Sequence, residues 1–164
     1  MTTHTPNPHL TCFRRSAALL LTLAVLFGAE SIRYPDNFRR WVHVSTGVIL
    51  PGAPLPESEQ GMHHTFANQK AAAGYSSGDF ADGSVIVYEL REAQDKNGII
   101  SEGGRKRVDV MIKDSSLYQN TGGWRFERFM GNDQSQDALH DSGTSCFECH
   151  TSAKAHGFVF SQLH

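Results

Sequence analysis

Residues 84–90, SVIVYEL, form the clearest strand pattern of the chain, and the prediction of the fold starts from them. Their β-branched residues Val85, Ile86 and Val87 are typical of a strand. A glycine- and charge-rich hairpin is expected over residues 95–104. Residues 107–113, RVDVMIK, then alternate apolar and polar side chains, as a half-exposed strand does. The pattern therefore predicts two strands joined by a hairpin.

The flanking segments predict three more strands, over residues 44–50, 61–67 and 124–129. The last of these places its aromatic side chains on one face. No internal repeat and no second domain is visible in the sequence. The expected fold class is α+β, mainly an antiparallel β-sheet with a few short helices.

Two short helices are predicted from capping residues. The first would begin at Asp36 or Asn37, with three residues on its buried side: Phe38, Trp41 and Val42. The second would cover residues 69–75, with Asn68 as its cap, because its alanines favour a helix.

The N-terminus has the pattern of a secretory signal peptide. Arg14 and Arg15 precede an apolar run over residues 17–27, and small residues follow at Gly28 and Ala29. We expect cleavage near Ala29, which divides the chain into a signal peptide, residues 1–29, and a mature domain, residues 30–164. An uncleaved membrane anchor is the alternative, although the run is shorter than the roughly 20 residues of a typical span.

Charge restricts the expected partners. Removal of the two signal-peptide arginines leaves 13 basic against 17 acidic residues, a net charge of −4. The mature chain therefore has no basic patch or tail, which argues against nucleic acid as a partner. After signal cleavage no stable membrane span is expected.

The motif with the most specific chemistry is Cys146-Phe147-Glu148-Cys149-His150. Two thiols three positions apart can each form a thioether with one vinyl group of a haem, and the histidine that follows can ligate the iron. The motif therefore predicts one covalent haem c per chain, with His150 as the metal ligand. Because haem c is attached outside the cytoplasm in bacteria, the motif and the signal peptide together predict a periplasmic protein.

Other interpretations of the two cysteines are a redox disulfide, a zinc site and a structural disulfide. A redox disulfide of the thioredoxin kind would need a βαβ setting, and zinc would need more soft ligands than the mature chain has. A structural disulfide leaves the histidine unexplained. The sixth iron ligand is also open, with these candidates: Met62, His63, His64, Met111, Met130 and His156.

From Tyr34 to Leu163 the chain resembles the cytochrome P460 family, which includes the cytochromes c′-β. The resemblance rests on several segments in the same order, of which only the haem motif is specific by itself. These are residues 34–35, 38–44, 61–68, 74–75, 78–87, 122–124, 146–150 and 158–162.

The resemblance implies an antiparallel sheet that cups one haem, a homodimer, and five-coordinate iron with His150 proximal. In the P460 enzymes, which oxidise hydroxylamine, a strand lysine is cross-linked to the haem. The c′-β members bind nitric oxide in an apolar pocket instead. Here Tyr88 stands at the position of that lysine, and a phenol cannot supply the amine nitrogen. Tyr88 is our candidate catalytic residue, as a hydrogen-bond donor to a ligand or a propionate. A covalent link from Tyr88 to the haem and a structural role as a packing aromatic are the alternatives.

Further residues have both a functional and a structural interpretation. The candidates for walls of the ligand pocket are Phe66, Phe80, Phe126 and Phe129. The candidates for propionate partners are Arg39, Arg40, Arg125 and His43, and those for proton carriers are Glu89, Glu127 and His64.

The leading functional expectation is an exported mono-haem cytochrome that binds nitric oxide or a similar small ligand. An oxidoreductase acting on hydroxylamine or NO is the alternative, although Tyr88 in place of lysine argues against it. A six-coordinate electron-transfer cytochrome with a redox partner protein is the third.

Overall fold

Five antiparallel strands form one sheet in the order in which they occur along the chain. They are β1 (Val42–Ile49), β2 (Gly61–Ala67), β3 (Val85–Lys96), β4 (Ile99–Lys113) and β5 (Trp124–Met130). The computed structural model describes residues 1–2, 32–135 and 138–163. The predicted signal peptide lies outside the described residues apart from its first two. The sheet confirms the predicted fold class.

Two short α-helices accompany the sheet. Helix α1 (Gln69–Gly74) lies between β2 and β3, and helix α2 (Thr144–His150) follows β5. The side chain of Asn68 accepts a hydrogen bond from the backbone N–H of Ala71, which confirms the predicted cap of α1. No helix in the described part of the chain is long and apolar enough to cross a membrane.

The predicted helix after Tyr34 is wrong. Only a single 3-10 turn forms, Phe38–Arg40, and Val42 already belongs to β1. Asn37 adopts a left-handed conformation with φ of 58° and its side chain makes no capping hydrogen bond. Without a cap the first turn has unsatisfied N–H groups, and Trp41 is already extended.

The β3–β4 hairpin is tighter than predicted. Its strands continue to a two-residue turn at Asn97 and Gly98, both with positive φ, of 58° and 82°. This is the Asn-Gly signature of a type I′ turn, whose twist matches that of the flanking strands. Residues 92–104 therefore extend the two strands beyond their neighbours, and the predicted hairpin over residues 95–104 consists of paired strands up to this two-residue turn.

The sheet has two buried faces because side chains alternate along each strand. The first, which we call the α2 face, carries a cluster that includes Ala67, Ile86, Met111 and Phe126 and contacts Cys146. The second face carries a separate cluster: Phe38, Phe66, Val87, Val108, Val110 and Phe129.

Trp124 connects the sheet to the C-terminal segment. Its side chain is fully buried on the α2 face, and its indole N–H donates to the carbonyl of Gly157 at 2.9 Å.

Trp124→Ala should therefore lower the free energy of unfolding by about 3–5 kcal/mol, measured by denaturant unfolding of the holoprotein. Leu117→Ala, at a side chain 70 % exposed, is the control and should change it by less than about 0.5 kcal/mol. Equal effects would contradict the assignment of Trp124 to the core.

Candidate functional site

Helix α2 places the Cys-x-x-Cys-His motif against the sheet. The carboxylate of Asp141 accepts hydrogen bonds from the backbone N–H groups of Gly143 and Ser145, at 3.0 and 2.9 Å. These bonds begin the helix. A hydrogen bond from the Ser145 side chain and these backbone bonds hold the pKa of the Asp141 carboxyl below its usual value. Gly143 has φ of 81°, and a Cβ there would lie 2.8 Å from the Cβ of Phe126. A glycine therefore allows the helix to approach β5 closely.

Both motif cysteines are free thiols. Cys146 is half-buried against the α2 face, and Cys149, three residues on, is exposed. The structure therefore contains no disulfide between them, so both sulfurs are available for thioether bonds.

His150 is oriented by a backbone carbonyl. Its Nδ1 lies 2.6 Å from the carbonyl oxygen of Phe158. A carbonyl can only accept, so Nδ1 carries the proton, and Nε2 keeps the lone pair that a metal requires. Burial lowers the pKa of His150, which favours the neutral ring. The rings of Phe126 and Phe160 enclose it, with centroids 5.0 and 4.8 Å away.

The carbonyl that holds His150 belongs to an unusual backbone conformation. Phe158 has φ of 67°, and the preceding Gly157 has φ of 65°. A left-handed phenylalanine costs free energy, and such residues persist where their surroundings determine them. Here the N–H of Phe158 bonds to the carbonyl of Ala153 at 3.0 Å, and its ring packs against Phe147.

A row of polar side chains crosses the α2 face beside this helix. Thr65, Tyr88, Asp109 and Arg128 are direct cross-strand partners from β2 to β5, and we call them the polar row. They project from the α2 face because each lies two residues from one of its core members, Ala67, Ile86, Met111 and Phe126. The charges of Asp109 and Arg128 both act on Cys146, and that of Asp109 also acts on His150.

Tyr88, the candidate catalytic residue, lies within this row. Its ring stacks on that of His63, with centroids 5.1 Å apart, and the Arg107 guanidinium lies 5.8 Å from its ring centroid. Burial raises the pKa of the Tyr88 phenol to about 12, so it remains protonated and can donate. Its hydroxyl makes no hydrogen bond with any residue that the structure describes, which leaves that donor free for a ligand.

Asp109 joins the two arginines of the α2 face. It accepts from Arg107 Nε at 2.8 Å and from Arg128 Nε and Nη2 at 2.6 and 3.1 Å. Sequence reasoning missed these three residues as parts of the site. The available signal was the strand register, since residues 107, 109 and 111 share a face and Asp109 is opposite Tyr88.

Several other candidates lie on the second face. Glu89 and His64 are cross-strand partners there, and Glu127 pairs with Arg125. Their contacts are therefore with arginines, Thr46 and Glu102, on the side of the sheet away from α2. Phe66 and Phe129 also belong to the second face, whereas Phe80 and Phe126 pack on the α2 face.

The sixth-ligand candidates divide in the same way. His63 lies on the α2 face and His64 on the second face, as their alternation predicts. Met62 shares the second face with His64, and Met111 is buried in the core of the α2 face. Within residues 1–2, 32–135 and 138–163, no three histidine, cysteine or acidic side chains are grouped to hold a metal ion.

Comparison with known protein families identifies the family of the chain. The family model described as Cytochrome P460 matches residues 35–161, which is most of the chain. A search of curated proteins gave no match. The residues fit the haem that this family implies, since two free thiols, a histidine with an available Nε2 and an uncommitted phenol belong to one side of the sheet.

The Tyr88 phenol gives a prediction at alkaline pH. Its pKa is raised from about 10 to about 12 in the fold, so its contribution to stability is complete below pH 10 and is lost as pH rises towards 12. Tyrosinate absorbance is measured against pH for the wild type and for Tyr88→Phe. The difference between the two curves should show one group that ionises near pH 12. A difference curve centred near pH 10 would contradict the burial of Tyr88.

Proposed function

The chain belongs to the cytochrome P460 family and is a haem protein, and we propose that its haem is of the c type and that it is a periplasmic binder of nitric oxide or a similar small ligand. In this proposal Cys146 and Cys149 attach one haem, and His150 is its proximal ligand. When bound, the haem supplies an iron with a coordination position for a diatomic molecule. The observation that carries the proposal is the orientation of His150 by the Phe158 carbonyl, together with the free hydroxyl of Tyr88 on the same face of the sheet.

Some residues of the site orient the His150 ring and shield it from water, and others hold the Tyr88 hydroxyl as a polar donor. The Phe158 carbonyl keeps the His150 ring in one tautomer and raises its basicity as a ligand. Phe126 and Phe160 limit the access of water to that ring. On the sheet, the stacked ring of His63 and the nearby guanidinium of Arg107 fix the Tyr88 ring, so its hydroxyl is preorganised as a donor.

An open sixth position is supported by where the rival ligands lie. Met62 and His64 are on the second face, and Met111 is packed in the core. His156 follows His150 by only six residues, and its side chain is exposed. His63 shares the face with Tyr88 but is stacked on its ring. NO is small and neutral, so its capture needs little beyond the iron and one donor.

Export is part of the same proposal. The basic and apolar pattern of residues 14–29 supports cleavage near Ala29, and haem c is attached outside the cytoplasm in bacteria. The homodimer rests on the resemblance, and a redox partner protein belongs to the electron-transfer alternative; both remain predictions.

Haem retention tests covalent attachment. The wild-type chain, coexpressed with haem-attachment proteins, should keep its haem through acid–acetone extraction, because thioether bonds survive it. Replacement of both cysteines, Cys146→Ser with Cys149→Ser, should release all haem into the solvent. Ser152→Ala, at an exposed residue just beyond the motif, is the control and should retain it. Extraction of the wild-type haem would overturn the covalent assignment.

Ligand binding tests the function itself. Broad bands in the dithionite-reduced visible spectrum, followed by a saturable NO titration, are the expected result for an open position. Tyr88→Phe should increase the NO dissociation rate about two- to tenfold, the worth of one hydrogen bond. Tyr118→Phe, whose hydroxyl contacts Arg125, is the control and should leave the rate unchanged.

Two outcomes would contradict this function. Sharp low-spin bands before NO is added would mean that a protein side chain already occupies the sixth position, and the electron-transfer alternative would replace ours. Steady turnover of hydroxylamine with an artificial oxidant would favour the enzyme. An unchanged rate in Tyr88→Phe would remove Tyr88 from the ligand contact while leaving the binding function standing.

A further inference from the structure

A cleft of about 470 Å³ opens next to the second face of the sheet, away from the haem motif. Its lining includes Tyr34, Arg39, Arg40, Arg105 and Gln134, with Asp36 as the acidic member. Three guanidinium groups around one cleft are the donor set that oxyanions prefer, because each presents several N–H groups in a planar fork.

Two of these arginines are held in place by a buried carboxylate. Glu89 is completely buried and accepts from Arg105 Nε at 2.6 Å and from Arg39 Nε at 2.8 Å. Arg91 Nη1 donates to the same carboxylate at 3.2 Å. These bonds hold the pKa of Glu89 below its usual value, so the anchor remains charged. A guanidinium fixed in this way loses little further entropy when it binds a ligand.

The charges around the cleft leave an excess of positive charge. Four arginines (Arg39, Arg40, Arg91 and Arg105) face three carboxylates (Asp36, Glu89 and Glu102). Nearby His64 adds little positive charge at neutral pH, because burial lowers its pKa. One positive charge therefore remains uncompensated by the protein's own carboxylates.

Donors also remain unused in the cleft. The side chain of Arg40 makes no hydrogen bond or ion pair within the described part of the chain. Arg105 uses Nε for Glu89 and Nη1 for Asn132, so Nη2 has no partner among the described residues. Burial raises the pKa of the Tyr34 phenol, which keeps it neutral beside an anion.

We propose that this cleft is a binding site for a small, multiply charged oxyanion of the phosphate class. Arg40 and Arg105 would contact the anion directly, and Glu89 would position Arg105. The site lies on the opposite side of the sheet from Cys146 and His150, so it is independent of the iron and of the proposed NO function.

Calorimetric titration of the haem-loaded protein with inorganic phosphate, against chloride at equal ionic strength, tests this site. We expect saturable binding of phosphate and none of chloride. Arg40→Gln should weaken phosphate binding about tenfold or more, because it removes a charge-assisted hydrogen bond. Arg33→Gln removes the same charge at an exposed residue outside the cleft lining, and it should change the affinity by less than about twofold.

The absorption spectrum recorded during each titration separates the cleft from the iron. An unchanged haem spectrum together with the loss of affinity in Arg40→Gln supports the cleft. The proposal is overturned by the absence of saturable phosphate binding, or by equal affinities in Arg40→Gln and Arg33→Gln. It is also overturned if phosphate shifts the haem bands with an affinity that Arg40→Gln leaves unchanged. Arg40 is exposed and has no partner to lose, so its replacement should not disturb folding.

Discussion

The alternation of side chains across the sheet is the constraint on which the rest of the structure depends. Along each strand, every second side chain projects from the same face, and helix α2 covers only one of the two faces. Tyr88 therefore shares a face with the haem motif, while its neighbour Glu89 is turned away from it. A shift of one residue in the register of β3 would exchange them, and would bury a carboxylate beside the cysteines.

The two faces of the sheet differ in how deeply their central carboxylate is buried and in how many arginines contact it. On the second face, Glu89 is completely buried and receives three arginines. On the α2 face, Asp109 is partly exposed and shared by two. A completely buried carboxylate costs several kcal/mol unless it is paired, and the arginines around Glu89 supply that pairing. Each face of the sheet therefore carries an ionic network, centred on Glu89 on the second face and on Asp109 on the α2 face.

Much of the fold could be predicted from the sequence, because β-branched runs and alternation are local signals. All five strands were predicted, and the cap at Asn68 was found from its residue type. The helix predicted after Tyr34 does not form, because Asn37 adopts a left-handed conformation that its residue type alone does not determine. At the site, the haem motif was visible by itself. The roles of Arg107, Asp109 and Arg128 depend on which strands are neighbours, and the cleft beside Arg40 depends on the pairing of Glu89. Neither the roles of these three residues nor the cleft can be predicted from the spacing of residues along the sequence.

The order of the strands also has a consequence for biogenesis. Because every strand pairs with its neighbour in sequence, the sheet can assemble progressively as the chain emerges, without waiting for distant segments. The Cys-x-x-Cys-His motif comes after the last strand, so the covalent attachment of haem that we propose would take place on an extended tail while the sheet is already formed. Closure of that tail, through Trp124 and the left-handed turn at Phe158, would then be the final folding event and would commit the prosthetic group to its place.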